Sequence, residues 1–473
     1  MTGMYVADLR ALPHEASRGL DSILDRPVVR ICTDSRDLQP GDVFLALRGA
    51  SFDGHDFAAA AMAAGAVLCI VDRRGLRRVA DRSLLEPCLV VRDTLETYGD
   101  IARTYRRRFR IPVFAVTGSN GKTGTKELVA AVLGTKIHTL QNSGNFNNQI
   151  GLPNTLLRLE PAHRAAIVEM GTNQPGDIPY LCSIAEPTHA LITNIGRAHI
   201  ERLLSREGIA AEKAAVFAAL GSEGVAFVNA DEPLLRPYVP KGRRIIRYGF
   251  SARAAVRVLR AELDEQARAT VVIAAPEWVA RPVTVRLKLR GRHAAYAAAA
   301  AVAAGLVFGC GIKAIVRVLE QYEGGSGRLA VRDAAGVTVL DDAYNANPDS
   351  VIAGLHTLAA MRSSGRRIAI LGDMLELGPT ARHEHAAVGD VLATLDIPFV
   401  LTCGRLSRAI RDAVRSGGAS FTEHFQDRDA LLRALVALAD EGDVVLVKGS
   451  HGMRMNEVVD GFIAARTAQE KEC

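Results

Sequence analysis

AVTGSNGKTGTKE, residues 115–127, is the stretch that decides the fold of this chain. It continues an apolar run that begins at Val113 and passes into a turn of Gly, Ser and Asn at residues 118–121. A helical pattern follows from Lys122 to about Leu133. A buried strand, a tight turn and a helix in this order begin a β-α alternation, which predicts an α/β domain with a parallel sheet.

The turn also carries a chemical signal. Glycines let backbone N–H groups turn toward phosphate oxygens, and the helix N-terminus adds partial positive charge. Lys122 can reach terminal phosphates, and the Thr123 hydroxyl can ligate Mg²⁺. Val116 occupies the first Gly position of GxxxxGK[ST], so a turn that only caps the helix is the alternative. The predicted nucleotide loop consists of Gly118, Ser119, Asn120, Gly121, Lys122, Thr123 and Gly124.

The alternation of strands and helices continues along the chain. Apolar runs that end in Gly or polar residues recur, as expected of parallel strands covered on both faces. They lie at residues 166–171, 190–196 and 224–233. Residues 245–290 are less regular, and two helices are predicted at about 294–306 and 311–321.

Two segments mark domain boundaries. Pro112 follows a basic stretch, and residues 324–327 form a Gly-rich linker. Short strand-like runs are predicted before Pro112, at residues 27–32, 42–47, 67–71 and 88–91. After the linker, strands are predicted at VTVLDDAY, RRIAILGDM, PFVLTCG and DVVLVKGS. We therefore predict three α/β domains: 1–110, a central P-loop parallel-sheet ATPase domain at 111–322, and a Rossmann-like domain at 323–473.

The composition excludes several classes of protein. The 473 residues are 48% apolar, which is enough for packed cores and excludes a wholly disordered chain. The formal charge of +6, from 58 basic and 52 acidic residues, is small for this length. The densest basic run, Arg106 to Arg108, is interpreted as a solvated helix face rather than a polyanion-binding stripe. Nucleic-acid binding is therefore not expected.

The cysteines and apolar segments bear on the cellular compartment. The seven cysteines are scattered and never spaced as CxxC, which argues against a disulfide framework or a structural zinc site. The first ten residues lack the apolar segment of a signal peptide, so a cytoplasmic location is expected. The longest uncharged run, residues 294–312, is mostly Ala and Gly, and a buried helix is expected there rather than a membrane span.

Groups suited to metal and phosphate stand at the ends of predicted strands. Glu169 closes AIVEM, Asn194 lies in ITNIG, and His199 follows. Ligands of parallel α/β sheets collect at the carboxyl ends of the strands. Each residue alone has an ordinary alternative, since a Glu can cap a helix and a His can be satisfied in a core. Beside a phosphate loop, Glu169 becomes a candidate Mg²⁺ ligand, because its carboxylate is a hard oxygen donor.

Lysine occurs at only nine positions, so a well-placed lysine is informative. Lys213 lies on a predicted helix in GIAAEKAAVF, after His199. Unlike arginine, a lysine amine can lose its proton. It can then react with CO₂ to form a carbamate, which is an anionic metal ligand. A surface lysine is the alternative that the sequence leaves open.

Several longer motifs occur in a fixed order. They are TGSNGKTGTKE (117–127), GNFNNQIGLP (144–153), VEMGTNQPGDI (168–178), TNIGRAHIE (193–201), Gly327-Arg328 followed by LDDAYNANPDS (340–350), LGDMLELG (371–378) and VKGSHGMRMNEVV (447–459). Together they resemble the Mur ligase family, the ATP-dependent amide ligases of peptidoglycan precursor synthesis, over essentially the whole chain. TDSR (33–36) and GDVFLALRGASFDGHDF (41–57) are similar to that family's nucleotide-sugar domain.

The resemblance implies a reaction and its partners. YNANP and GDMLELG resemble the family member that joins D-Ala-D-Ala to UDP-N-acetylmuramoyl-tripeptide. Such an enzyme uses ATP with Mg²⁺ to convert the tripeptide's terminal carboxylate into an acyl phosphate, which the dipeptide amine then attacks. The likeness also implies a monomer.

Site residues carry over from the family motif by motif. Thr123 and Glu169 would hold one Mg²⁺, and His199 with a carbamylated Lys213 would hold a second. The implied catalytic residues are Lys122, His199, Lys213 and Arg328. Further nucleotide-binding residues implied are Asn194, His293, Asp342, Tyr344 and Asn345. The residues implied at the two substrates are Asp34, Ser35, Arg36, Gly49, Asp53, His55, Asn145, Asn147, Asn148, Gln149, Asn347, Lys448 and Ser450.

The chain departs from the family at its adenine pattern. GxHNxxN is here GRHAAYA, residues 291–297, with Ala294 and Ala297 where Asn is usual. An Asn side chain offers a donor and an acceptor, and Ala offers neither, so looser base selectivity is expected. Gly124 also replaces the Thr or Ser that is common after GKT.

Two rival functions fit parts of the sequence. A folylpolyglutamate-type ligase would share the fold, but YNANP and the nucleotide-sugar motifs argue against it. A P-loop protein that hydrolyses ATP to change shape would not need both a carboxylate and an amine. Because the implied ligands are shared between domains, an open form without ligands and a hinge near residues 324–327 are expected.

Overall fold

The computed structural model describes residues 1–49, 51–79, 81–417 and 421–472. Within these ranges the chain forms sixteen α-helices and twenty strands in three sheets. The strands are β1 Ala16–Arg18, β2 Ile31–Cys32, β3 Val43–Leu45, β4 Leu68–Asp72, β5 Cys88–Val91, β6 Val113–Thr117, β7 Thr139–Gln141, β8 Ala165–Glu169, β9 His189–Ile192, β10 Val225–Asn229, β11 Arg244–Gly249, β12 Val256–Leu263, β13 Arg268–Ala274, β14 Val283–Arg290, β15 Ala330–Ala334, β16 Val337–Asp342, β17 Arg367–Gly372, β18 Phe399–Cys403, β19 Phe421–Phe425 and β20 Val444–Lys448.

The α-helices connect these strands and cover the sheets. They are α1 Val6–Arg10, α2 Ala58–Ala63, α3 Arg73–Arg78, α4 Thr94–Arg106, α5 Lys122–Gly134, α6 Gly151–Leu156, α7 Asp177–Ala185, α8 Ile200–Leu203, α9 Arg206–Ala218, α10 Ala294–Val307, α11 Ile312–Gln321, α12 Pro348–Ala360, α13 Ala381–Ala393, α14 Arg408–Ser416, α15 Arg428–Leu438 and α16 Met455–Glu472. The α/β class predicted from the sequence is confirmed.

The N-terminal unit is a five-stranded sheet with its helices, in the order β1-β5-β4-β3-β2. β2 to β5 are parallel, and only β1 runs antiparallel to its neighbour. The four predicted strands are present, although the one expected at residues 27–32 is reduced to Ile31–Cys32. The carboxyl ends of β2 to β5 therefore meet at one edge of the sheet.

The central unit is a nine-stranded sheet with its helices, in the order β14-β13-β12-β11-β10-β9-β6-β8-β7. Strands β6 to β12 pair in parallel with one another in this sheet. The antiparallel strands β13 and β14 form a ribbon that extends the sheet beyond β12. This ribbon accounts for the segment that the sequence analysis expected to be less regular. The carboxyl ends of β6, β8, β9 and β10 open onto the phosphate loop.

The Ala-rich helix α10 is buried against α5, as its composition predicted. A Cβ on Gly305 would lie only 2.5 Å from the side chain of Val132, so the small residues allow a very close approach of the two helices. No helix in the described ranges is long and apolar enough to cross a membrane.

The C-terminal unit is a six-stranded sheet with its helices, in the order β15-β16-β20-β17-β18-β19. Only β15 is antiparallel. Helices α12 to α14 cover one face and α15 with α16 the other, each over its own apolar cluster. The carboxyl ends of β16 and β20 face those of the central unit across one cavity of about 1040 Å³.

Candidate active site

The phosphate loop joins β6 to α5 and is fixed by its neighbours. Gly118 has φ +143°, and a Cβ there would lie 1.9 Å from the hydroxyl of Thr193. The Ser119 N–H donates to the Asn194 carbonyl at 2.9 Å, and the Asn120 N–H donates to the Asn194 side-chain oxygen at 3.0 Å. Asn194 therefore holds the loop in shape, which requires glycine at position 118.

Lys122 lies over this loop and lines the cavity. Its ammonium donates to the carbonyls of Gly118 at 2.9 Å and Ser119 at 3.1 Å. Burial lowers the pKa of Lys122, the nearby Glu169 opposes this, and Arg328 lowers it further. Arg328 lines the same cavity as Lys122, so two cations from different parts of the chain share this space.

Glu169 ends β8 beneath the loop and is almost fully buried. One carboxylate oxygen accepts from the Thr123 hydroxyl at 2.7 Å, and the other accepts from the Asn147 side-chain amide at 2.7 Å. Both donors are neutral, so the negative charge of Glu169 is not cancelled by these partners. Two hard oxygen groups side by side suit a divalent cation such as Mg²⁺.

Asn142 organises the segment that brings Asn147 to Glu169. Its side chain accepts from the Glu169 N–H at 2.9 Å and donates to the Phe146 carbonyl at 3.0 Å. The buried ammonium of Lys126 donates to the Asn142 carbonyl at 2.8 Å. Asn142 and Lys126 were not predicted from the sequence. The only available signal was their place beside the Asn-rich stretch and the phosphate loop.

Lys213 is 1% exposed on the inner face of α9. Burial lowers its pKa well below the ordinary value, and Lys122 lowers it further, while Glu212 and Glu169 oppose these effects. A surface position is therefore wrong for this residue. A buried amine with a lowered pKa is neutral more readily, and only the neutral amine can take up CO₂.

His199 lies between the central and C-terminal units. It has φ +60°, and its Nδ1 is 2.5 Å from the Glu376 carboxylate, in an ion-pair contact rather than a well-directed hydrogen bond. The histidine lowers the pKa of Glu376, while burial opposes this. Glu376 belongs to LGDMLELG in the C-terminal unit and was not predicted as a site residue from the sequence.

Two charged residues stand at the carboxyl ends of neighbouring strands of the C-terminal unit. Asp342 ends β16, Lys448 ends β20, and their charged groups are 2.6 Å apart. The Leu329 N–H donates to the other carboxylate oxygen of Asp342 at 3.2 Å. Beside this pair, the Arg328 guanidinium lies 4.2 Å from the ring centre of Tyr344, as a cation–π contact.

The segment after β16 is tied down by its own hydrogen bonds. The Asn345 side-chain oxygen accepts from the backbone N–H of Ala346 at 2.9 Å. The Ser450 hydroxyl donates to the Ala346 carbonyl at 3.1 Å. Asn347 caps α12 and donates to the Asn120 side chain at 2.7 Å, so it contacts the phosphate loop directly.

The opposite end of the cavity has an apolar wall. Gly291 has φ +79°, and a Cβ there would lie 2.6 Å from the ring of His293. Burial lowers the pKa of His293 to about 4, so this ring is neutral at pH 7. Ala294 and Ala297 both line the cavity, and Tyr296 lies beside them. The positions that depart from the family pattern therefore face the same space as the phosphate loop.

Comparison with known proteins identifies the family. Residues 116–305 match the Mur ligase middle domain, residues 327–451 the Mur ligase glutamate ligase domain, and residues 27–106 the Mur ligase catalytic domain. The chain belongs to the Mur ligase family. It is an ATP-dependent amide-bond ligase.

Relatives and solved structures agree over the length of the chain. The UDP-N-acetylmuramoyl-tripeptide–D-alanyl-D-alanine ligase of Escherichia coli K12 is 37% identical, over 97% of this chain and 98% of the relative. The ligase of the same name from Bacillus subtilis 168 is 33% identical, over 92% and 93%. A crystal structure of MurF from Acinetobacter baumannii is 31% identical with a TM-score of 0.85, over 96% of this chain and 100% of that chain.

A nucleotide complex and a rival family are also similar. The structure of MurF from Thermotoga maritima in complex with ADP has a TM-score of 0.83 and 28% identity, over 93% of this chain and 98% of that chain. Nucleotide binding is thus a property of this Mur ligase fold. Folylpolyglutamate synthase of Mycobacterium tuberculosis has a TM-score of 0.60 at 18% identity, over 79% and 94%, which is a likeness of fold alone.

In this Mur ligase, the residues expected at the substrates form two groups, one in the N-terminal unit and one around the cavity. The six residues of the N-terminal unit do not line the described cavity: Asp34, Ser35, Arg36, Gly49, Asp53 and His55. The Asp34 carboxylate pairs with Arg36 at 2.6 Å, and Gly49 donates to a backbone carbonyl. The ring of His55 is buried, with Nδ1 2.6 Å from Asp53 and Nε2 accepting from a backbone N–H. The ring of His55 thus holds the Asp53 carboxylate in place from the interior of the N-terminal unit.

The remaining expected residues of this Mur ligase line the cavity. The Asn148 side-chain oxygen accepts from the backbone N–H groups of Ile150 and Gly151 just before and at the start of α6, and the Gln149 amide donates to Asp177 at 3.1 Å. Within the described part of the chain, the cavity lining includes the following residues expected at substrates: Asn145, Asn147, Asn148, Gln149, Asn347, Lys448 and Ser450. The structure therefore gathers these seven residues into one space, whereas Lys213 is buried in α9 and is not among the lining residues.

Proposed function

We propose that this enzyme joins D-alanyl-D-alanine to UDP-N-acetylmuramoyl-tripeptide, with ATP converted into ADP and phosphate. The product is the pentapeptide precursor of peptidoglycan, so the enzyme serves cell-wall synthesis, cell shape and division. The observation that carries the proposal is one cavity in which Lys122 of the phosphate loop faces Arg328 and Asp342. Relatives that bear this activity in their names match nearly the whole chain, which supports the substrates.

Forming an amide from a carboxylate in water is uphill, so the carboxylate is first activated as an acyl phosphate. The phosphate loop with Lys122 neutralises charge on the transferred phosphoryl group, and Arg328 acts on the same group from the opposite wall. The amine of the dipeptide then attacks the acyl carbon, and phosphate leaves through a tetrahedral intermediate. The protein contributes mainly positioning and electrostatic stabilisation.

Thr123 and Glu169 are the residues that would hold Mg²⁺, because their oxygens lie side by side and the hydrogen-bond donors to the Glu169 carboxylate are neutral. His199 and a carbamylated Lys213 would hold a second ion. Bound Mg²⁺ supplies positive charge to phosphate oxygens. The buried, readily neutral amine of Lys213 fits the carbamate, since the modification requires an unprotonated nitrogen.

The remaining roles divide along the cavity. Asp342 would accept from the ribose hydroxyls, and His293 would lie at the base, with Tyr344 and Asn345 near the nucleotide. Asn194 acts through the loop that it holds. The tripeptide would contact Asn145, Asn147, Asn148 and Gln149, and the dipeptide Asn347, Lys448 and Ser450. The UDP-sugar end would lie at the carboxyl edge of the five-stranded sheet, with Asp34, Ser35, Arg36, Gly49, Asp53 and His55.

The proposed reaction draws on ATP and a UDP-linked precursor, so we place the enzyme in the cytoplasm. A monomer, the domain limits at residues 110 and 322, and an open form without ligands remain predictions. The contact between Asn120 and Asn347 belongs to a closed arrangement. A radius of gyration by solution scattering that does not decrease on adding all ligands would contradict the open form.

The test is phosphate release from Mg-ATP with UDP-N-acetylmuramoyl-tripeptide, with and without D-Ala-D-Ala. We expect release only with both substrates, and a pentapeptide product by mass. Release without either substrate would support an ATPase switch instead. Activity with glutamate and a folate, and none with the muramoyl peptide, would support the folylpolyglutamate-type alternative.

A further inference from the structure

Arg197 connects the central unit to two helices of the C-terminal unit. It lies in the loop after β9, two residues before His199. Its backbone N–H and its guanidinium donate to the Asp349 carboxylate at 2.7 and 2.8 Å, and a second guanidinium nitrogen donates to Glu384 at 2.7 Å. One side chain therefore bridges two carboxylates that are far apart in sequence.

Both carboxylates occupy first turns of helices, Asp349 in α12 and Glu384 in α13. The loop fits closely against α12, because a Cβ on Gly196 would lie 2.6 Å from the Asp349 carboxylate. Three-quarters of the Arg197 side chain is buried, and Glu384 is 11% exposed. The Arg197–Glu384 pair is therefore screened less by solvent than an exposed pair, so loss of one partner matters more, whereas Asp349 is 36% exposed.

The same turn of α12 also contacts the phosphate loop. Asn347, two residues before Asp349, donates to Asn120 at 2.7 Å. Asp342, Tyr344 and Asn345 precede this turn directly, so residues 342–349 form one segment whose far end is held by Arg197. A guanidinium can serve two carboxylates at once, because its five donors are fixed in a plane.

We propose that Arg197 is a positioning residue that clamps the C-terminal unit onto the phosphate loop and thereby sets the place of residues 342–349. The clamp consists of Arg197, Asp349 and Glu384. This inference rests on the proposed function for its kinetic test, but its structural test does not. Arg197 and Glu384 lie outside the lining of the cavity, so in this proposal Arg197 acts by holding the two units together.

The experiment uses Arg197→Met in the full chain, with Arg206→Met as the matched control. Arg206 follows in the same segment and donates to the Ile195 carbonyl, so its contacts stay within the central unit. The measurements are the radius of gyration with ADP, Mg²⁺ and UDP-N-acetylmuramoyl-tripeptide, and the KM and kcat for D-Ala-D-Ala. We expect Arg197→Met to enlarge the ligated particle and to raise the KM at least about tenfold, while Arg206→Met changes neither.

Two further variants separate the clamp from a loss of folding. Arg197→Lys keeps the charge but loses the planar fork, so an intermediate KM is expected. Combining Arg197→Met with Asp349→Asn and Glu384→Gln removes the two unpaired charges and should restore part of the compact form. A merely structural role would lower the amount of folded enzyme, and with it kcat, while leaving the KM for D-Ala-D-Ala unchanged.

The outcomes distinguish the two proposals. An unchanged radius and KM in Arg197→Met, or the same change in Arg206→Met, would overturn the clamp. If the wild type makes no pentapeptide but Arg197→Met still enlarges the ligated particle, the proposed function fails and the clamp stands.

Discussion

Glu169 and Asp342 are two buried carboxylates at the ends of parallel strands, on opposite walls of one cavity. Glu169 accepts hydrogen bonds from a hydroxyl and an amide, both neutral. Asp342 is 2.6 Å from the ammonium of Lys448. Burial raises the pKa of Asp342, and Lys448 opposes this.

The two carboxylates differ in whether their hydrogen-bonding partners balance their negative charge. Neutral donors leave the charge of Glu169 for a cation, whereas the charge of Asp342 is already balanced by Lys448. Asp342 therefore suits a neutral partner such as a hydroxyl group. Carboxylates at equivalent positions in two α/β sheets thus suit different ligands. The ligand depends on the partner that the neighbouring strand or helix provides.

The largest effect on the Glu169 side is expected from Lys213→Arg. The variant keeps a basic side chain but cannot form the carbamate proposed for Lys213, so the proposed anionic metal ligand would be lost. We expect turnover to fall by about a thousandfold or more, since several kcal/mol of transition-state stabilisation depend on metal-held charge. The measurement is pentapeptide formation at saturating substrates.

Lys213→Ala with added acetate is the companion test. Partial recovery by this short carboxylate would support the carbamate, because it restores an anion without the lysine. Near wild-type turnover of Lys213→Arg would refute the carbamate role.

Glu169→Gln should have the next largest effect. The amide keeps the shape and one acceptor but removes the charge that is left for a cation. We expect the Mg²⁺ concentration for half-maximal activity to rise, and turnover to fall, each by about a hundredfold. A Mg²⁺ titration of activity measures this, and an unchanged Mg²⁺ requirement would place the metal elsewhere.

Asp342→Asn tests whether the carboxylate that Lys448 balances binds a neutral hydroxyl group, and it should have a smaller effect than Glu169→Gln. An amide still accepts from a hydroxyl, but Lys448 loses its counter-ion. We expect ADP affinity to fall by about tenfold, as for a lost hydrogen bond to a charged group, without a change in the Mg²⁺ requirement. Calorimetric titration with ADP is the measurement, and the exposed Asp333→Asn on β15 is the control. A shift in the Mg²⁺ requirement would contradict the contrast.

Ala297→Asn should have the smallest effect, and it should increase rather than decrease nucleotide affinity. The side chain lines the cavity near His293, and Asn would add a donor and an acceptor at the base. We expect affinity for ATP relative to GTP to rise by about threefold, as one net hydrogen bond allows. Equal changes for both nucleotides would show that position 297 does not contact the base.

Much of the fold could be predicted from the sequence. Continuous apolar runs correctly indicated parallel strands β6, β8, β9 and β10, because strands covered on both faces lack polar positions. The edge strands β1, β7, β15 and β19 were missed. Each lies at a margin of its sheet, where one side is unpaired and a short or partly polar run leaves no clear pattern.

The site was predictable only in part. The phosphate loop and Glu169 follow from a short motif and a strand end, and both lie where the sequence placed them. Asn142, Arg197 and Glu376 were missed, because each acts through a partner distant in sequence. The burial of the His55 ring between Asp53 and Gly75 was not predictable either, since it depends on how these residues pack around the ring.

The sequence by itself determined the α/β class, the nucleotide loop and the family resemblance, because these depend on local periodicity and on motifs within one strand–turn–helix unit. Only the tertiary structure decided which charges meet. Asp342 is balanced by Lys448 because β16 and β20 are neighbours in the sheet, although about a hundred residues separate them. Arg197 meets Asp349 because two units pack together. Such pairs depend on strand order and unit contacts, which local sequence does not encode.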